Sequence, residues 1–170
     1  MNILEVSFSM YPFVKYGGTE RSVYYLSKEM GKTANVKVIT CTNSNIKLDV
    51  VKIPNVKVPL LKGLVFQVSV MAYVVYLKAI NRLNIVHIHG VNSRDFPMVE
   101  LARLMGARTV ITVHGSFPKE KTYLKLFNAI ICESHSCKNE IANRHGFSNV
   151  VAIPAGVMLD GRCPSFKESS

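Results

Sequence analysis

The chain has 170 residues, 48% hydrophobic and 19% charged, enough for one domain with a real core and too few for two substantial ones. Its 21 Lys+Arg against 11 Asp+Glu leave a formal charge of +10, a field that favours anionic partners such as sugar nucleotides, phospholipid surfaces or nucleic acid. The basic residues are scattered, with no run of adjacent Lys/Arg and no aromatic-basic motif, so nucleic acid is not an expected partner.

In chain order, Ile3–Phe8 reads as a short apolar strand. Gly17-Gly18 follows, then a helix over about 19–31 with Val23, Leu26 and Met30 on its apolar stripe and Thr19 as its N-cap. Val36–Cys41 and Val50–Ile53 read as strands, 63–82 as a helix and Ile85–His89 as a strand. A helix over 95–105, with Asp95 placed to cap it, leads to the strand Thr109–Val113. A helix over 119–127, the strand Ala129–Cys132, a helix over 135–144 between a Ser134 cap and a Gly146 stop, and the strand Val150–Ile153 complete the pattern. The strand runs are rich in Val and Ile and nearly continuous rather than alternating, which suits strands buried on both faces of a parallel sheet. Strands alternating with helices imply right-handed crossovers, hence an α/β, doubly wound, Rossmann-like fold with a mostly parallel seven-stranded sheet and helices on both faces. The segment from Met158 to Ser170 has no strand or helix pattern and reads as a linker or tail.

Cys41, Cys132, Cys137 and Cys163 form no C-x-x-C pair, which points to a reduced chain without a disulfide framework or zinc. Met1-Asn2 leads straight into a strand, giving the expectation of a cytoplasmic chain without a leader. The uncharged stretch Leu64 to Leu77 has 14 residues, below the ~18 that suggest a transmembrane helix. The wider segment Pro59 to Arg82 has a broad apolar surface flanked by Lys62, Lys78 and Arg82. It reads first as a crossover helix buried on the sheet, and second as a basic amphipathic helix lying on an anionic membrane.

Ligands of an open parallel sheet bind at the carboxyl ends of its strands, near the topological switch point. The exits here carry Gly17-Gly18, His89-Gly90, His114-Gly115-Ser116, Glu133-Ser134 and Pro154-Ala155-Gly156. Gly17-Gly18 is neither a Walker A loop nor G-x-G-x-x-G; it is either a tight turn or a backbone approach to an anion at a helix N-terminus. Glu20, in the helix's first turn, is explained by the helix dipole. His87 and His89 share one face of their strand; they could pair on a metal, but no third ligand is visible. His89 is expected to line the cleft and His87 to be core. Ser134 reads most simply as a cap, and Arg94 and Asp95 as a solvated loop or acceptor contacts.

The ordered set Gly17-Gly18-Thr19-Glu20-Arg21, Ile85-Val86-His87-Ile88-His89-Gly90, Thr112-Val113-His114-Gly115 and Ile153-Pro154-Ala155-Gly156-Val157 resembles the N-terminal domain of the GT4-type retaining glycosyltransferases of GT-B architecture, over about residues 2 to 160. The resemblance implies an acceptor-side domain over 1–157, whose opposing donor-binding domain is not contained in this sequence. It implies transfer of a sugar from a nucleotide-sugar donor to a sugar or lipid-linked acceptor with retention, completed by a donor-domain partner or homo-oligomer. It further implies His114 as the catalytic-site residue, with Gly17, Gly18, Thr19, His89, Gly115 and Ser134 in substrate or donor-phosphate binding. No metal and no cofactor are implied. A cytoplasmic chain, peripheral at the inner membrane face, would suit a lipid-linked acceptor. The alternatives are a non-catalytic acceptor- or partner-binding module and part of a GT-B sugar-nucleotide epimerase.

Overall fold

A computed structural model describes residues 1–8, 18–41, 48–54, 56, 58–90, 96–114 and 121–154. Gly17, Arg94, Asp95, Gly115 and everything from Ala155 on lie outside the described residues. Seven strands form one sheet: β1 (Asn2–Val6), β2 (Asn35–Thr40), β3 (Asp49–Lys52), β4 (Ile85–His89), β5 (Arg108–Val113), β6 (Ala129–Cys132) and β7 (Val150–Ala152). Every pairing is parallel. The strand order is β3-β2-β1-β4-β5-β6-β7, so the chain reverses direction across the sheet between β1 and β4. The helices are α1 (Gly18–Met30), α2 (Pro59–Ala79), α3 (Phe96–Leu104), α4 (Lys121–Leu124) and α5 (His135–His145).

The expected element order holds, with shifts at the ends. α1 begins one residue early, at Gly18, so Thr19 stands inside the first turn rather than at the cap. α2 begins at Pro59, four residues before the expected start, because proline at the first helical position has a pre-set φ and lacks only an N–H that would have no helical partner. It stops at Ala79 because Asn81 takes a left-handed φ of 56°, and Arg82 N–H then reaches back to Leu77 C=O at 2.8 Å. α4 covers four residues where nine were expected. Ser134 caps α5, its Oγ accepting from Cys137 N–H at 3.1 Å, and Gly146 closes it at φ 69°.

Side chains alternate across each strand, so the two faces of the sheet differ in content. Leu4, Val6, Ile39, Val86, Ile88, Ile111 and Val113 form one continuous core with Phe66, Val70, Val74 and Leu77 of α2 and Met98, Val99 and Ala102 of α3. Against the other face, Val23 of α1 packs on Val38. That second face also takes Glu5 and His87, both buried.

α2 is long and apolar enough, by length and composition, to cross a bilayer over Leu61–Ala79; the expectation from the 14-residue stretch was too short because the helix extends past it at both ends. It packs instead as a crossover helix, with Phe66, Val70, Val74 and Leu77 buried. Only 22% of its apolar window is buried, however. Leu61, Leu64, Val68, Val75 and Tyr76 stay exposed.

Candidate functional site

The strand order reverses between β1 and β4, and side chains from neighbouring strands meet towards the carboxyl edge of the sheet, the edge at which open parallel sheets take ligands. Register sets the first contact there: Glu5 lies directly beside His87 in the β1–β4 ladder, and His89 is one same-face step further along. Glu5 Oε1 sits 3.1 Å from His87 Nδ1, and Oε2 sits 2.5 Å from His89 Nε2. His87 Nε2 meets Thr112 Oγ1 of β5 at 2.8 Å. His89 Nδ1 faces His114 Nε2 at 3.3 Å, the two rings stacking at 5.5 Å between centroids. His114 Nδ1 reaches Glu133 Oε1 at 2.8 Å, and Ser22 of α1 donates to the same oxygen at 3.3 Å. One chain of contacts therefore runs from the centre of the sheet to its edge, through β1, β4, the exits of β5 and β6, and α1.

Burial falls along this chain. The Glu5 and His89 side chains are wholly buried, that of His114 is 6% exposed and that of Glu133 is 30% exposed. Burial pushes the Glu5 carboxyl up, but the adjacent His87 and His89 rings more than offset it and hold the group down at about 2. Burial also pushes His89 down, to about 4, against the pull of Glu5. At neutral pH the inner end is therefore an ionised carboxylate beside a neutral imidazole.

The sequence reading found no third polar group beside His87 and His89; Glu5 is that group. Its strand is buried on both faces and shows no alternation, so a carboxylate inside it stood out only as one acidic letter in an apolar run. Glu5, His87 and His89 carry a metal-type donor set, with their ligand atoms within 4.8 Å of one another. In this structure the three side chains are drawn together by hydrogen bonds. Glu5 Oε1 bonds His87 Nδ1, and Glu5 Oε2 bonds His89 Nε2.

The other expected residues fall as follows. Gly18 opens α1, and a Cβ added there would meet nothing within 4 Å. Ser22, one helical turn beyond Gly18, touches Glu133, so the start of α1 lies beside the outer end of the network. Thr19, in the same turn, is half-buried. His89 is at the site, but its ring is enclosed rather than facing open solvent. His114 is there too, with both ring nitrogens engaged, and the group outside it is Glu133, which the sequence reading named only as an exit residue. Ser134 spends its hydroxyl on the α5 cap.

The model of the family described as Glycosyltransferase Family 4 matches residues 16–160. The chain belongs to that family. No curated protein sequence matches it. Among solved structures, it is similar to Acinetobacter baumannii MurG, with a TM-score of 0.61 at 14% identity over 92% of this chain and 47% of that one. It is also similar to UDP-GlcNAc 2-epimerase from Neisseria meningitidis bound to UDP-GlcNAc (TM-score 0.58, 16% identity, 89% of this chain and 46% of that one). A third likeness is to the S. aureus MnaA-UDP co-structure (TM-score 0.57, 13% identity, 89% and 43%). At these identities the likeness is one of fold, a Rossmann-like half of the GT-B type. This family 4 chain spans less than half the length of each of these structures.

Proposed function

We propose that this chain is the acceptor-side half of a retaining sugar transferase, working on a nucleotide-sugar donor held by a second domain or partner. The observation that carries the reading is the position of the Glu5–His89–His114–Glu133 chain. It begins at the strand-order reversal between β1 and β4 and ends at the carboxyl exit of β6, next to the start of α1; an open parallel sheet takes its ligands along this edge. The family match supports sugar transfer, and two of the similar structures hold UDP-GlcNAc or UDP. In this role the open space at Gly18 and the N–H groups of the first turn of α1 face the donor diphosphate, and the network orients an acceptor hydroxyl. Retention needs no strong protein nucleophile if the departing phosphate and the entering hydroxyl share one face of the sugar. The protein's work is then positioning and electrostatic stabilisation.

The acceptor reading extends to α2. Its outer stripe of Leu61, Leu64, Val68, Val75 and Tyr76, on a chain of net charge +10, suits the surface of an anionic membrane that displays a lipid-linked acceptor. The chain would then work at the inner membrane face. Isothermal titration of the 170-residue chain with UDP- and GDP-sugars tests the division of labour. Weak or no donor binding by this chain alone is expected, with transfer once a donor domain is supplied. Tight donor binding by the chain alone contradicts it. Sedimentation with anionic vesicles at low salt should carry the chain down, and its absence from the pellet removes the membrane part of the reading.

A further inference from the structure

The proton inventory of the buried network bears on the state of His114. Glu5, His87, His89, His114 and Glu133 are joined by four contacts: Glu5–His87, Glu5–His89, His89–His114 and His114–Glu133. Each contact needs one proton between its two heavy atoms, or two lone pairs face each other. Three neutral imidazoles supply three protons and two ionised carboxylates supply none. The Thr112 hydroxyl can donate to His87 Nε2 and so leaves this count unchanged. Four contacts and three protons leave the network one short, whichever tautomers are chosen.

The directions along the chain locate the missing proton. Glu5 is an anion, so both rings beside it donate to it: His87 through Nδ1 and His89 through Nε2. His89 is neutral, so its Nδ1 is bare and can only accept. His114 Nε2 must therefore donate to it. That leaves His114 Nδ1 facing a Glu133 oxygen at 2.8 Å, and this contact too needs a proton. The other groups on the neighbouring turn of α1 are Ser22, which donates to Glu133, and Glu20 and Arg21.

We infer that His114 is held as a doubly protonated imidazolium, clamped between the bare Nδ1 of His89 and the Glu133 carboxylate. Glu133 is a positioning residue: it keeps the charge on His114. The protonation state stands on the contacts of the network together with the charge states of Glu5 and His89. Its bearing on transfer rests on the function proposed above. There, His114 is a fixed cation with no lone pair, unable to take the acceptor's proton. The hydrogen-bond acceptor offered to a ligand hydroxyl at this end is Glu133 Oε2, which has no protein partner among the described residues. The departing donor phosphate is then the group that receives the proton.

The experiment reads ring nitrogens and needs no activity, so it can fail or succeed whatever sugar is transferred. The 170-residue chain, labelled with 15N-histidine, is studied by long-range 1H–15N correlation at pH 8, above the ordinary imidazole range. The expected pattern is two protonated nitrogens on His114, a protonated Nε2 with a bare Nδ1 on His89, and a protonated Nδ1 on His87. In Glu133→Gln the carboxamide can donate to His114 Nδ1, so the extra proton has no place and His114 should gain one bare-nitrogen signal while the His87 and His89 signals stay put. A bare Nδ1 on His114 in the unsubstituted chain overturns the inference. So does a Glu133→Gln chain in which both His114 nitrogens remain protonated.

Discussion

The centre of the sheet and the outside of α2 are opposites. At the centre a carboxylate and two imidazoles sit where water is excluded; along α2 a row of leucine, valine and tyrosine side chains sits in water. The main core follows the usual rule, with Leu4, Val6, Val86 and Ile88 inside against Phe66 and Val70. The two exceptions differ in how they are tolerated. Buried Glu5 is stable because both its oxygens have imidazole partners, and removing any one partner exposes the others to an uncompensated desolvation cost. The exposed stripe of α2 needs no partner within the chain, so folding does not depend on it. One exception is structurally indispensable, and the other is free to serve an outside surface.

The sharpest test of that difference is Glu5→Leu. It leaves the His87 and His89 rings buried without their shared acceptor, and a loss of about 3–5 kcal/mol in urea unfolding is expected. A loss under ~1 kcal/mol would mean that the network does not hold the sheet centre together.

Acid should act next, and in one direction. The His89 ring titrates at about 4 in the folded chain against 6.5 ordinarily, so as pH falls through that window the unfolded chain takes a proton that the folded chain refuses. Stability therefore falls from pH 6.5 towards 4. At about 1.4 kcal/mol per pH unit, this displacement is worth on the order of 3 kcal/mol. The Glu5 contribution is present above 4.5 and is lost as pH falls from there towards 2, so it adds to the same trend. Urea midpoints at pH 7 and pH 4 measure the drop, and a flat profile between them would break the comparison from the other side. The smallest effect belongs to α2: Leu64→Ser should change stability by no more than about 0.5 kcal/mol, because Leu64 is 56% exposed. A cost of ~2 kcal/mol or more would show that the outer stripe is part of the fold after all.

The fold was legible because its signals are local. Val- and Ile-rich runs separated by helical periodicity give parallel strands, and Ser134 and Gly146 mark the ends of α5 by residue type alone. Thr19 was misplaced at the cap because a helix start is set within one residue by backbone geometry, and the adjacent glycine entered the helix first. The site was half legible. His89 and His114 stand at strand exits, which chain order reveals. Glu5 and Glu133 matter through register, and no local pattern says that position 5 lies beside position 87. The histidine pair was visible as a pair; its carboxylate could have been found only by asking why a strand buried on both faces keeps an acidic residue.

The reach of the network also has a kinetic side. Glu5 is 84 residues from His89, His89 is 25 from His114, and His114 is 19 from Glu133. None of these contacts forms until β1, β4, β5 and β6 are aligned, and closing such loops costs entropy before any contact is gained. The network is therefore expected to form only as the sheet is completed. Until it does, the two carboxylates and three imidazoles stand apart in water. Completion of the sheet should register as a slow change in proton binding, timed with the final step rather than with early helix formation.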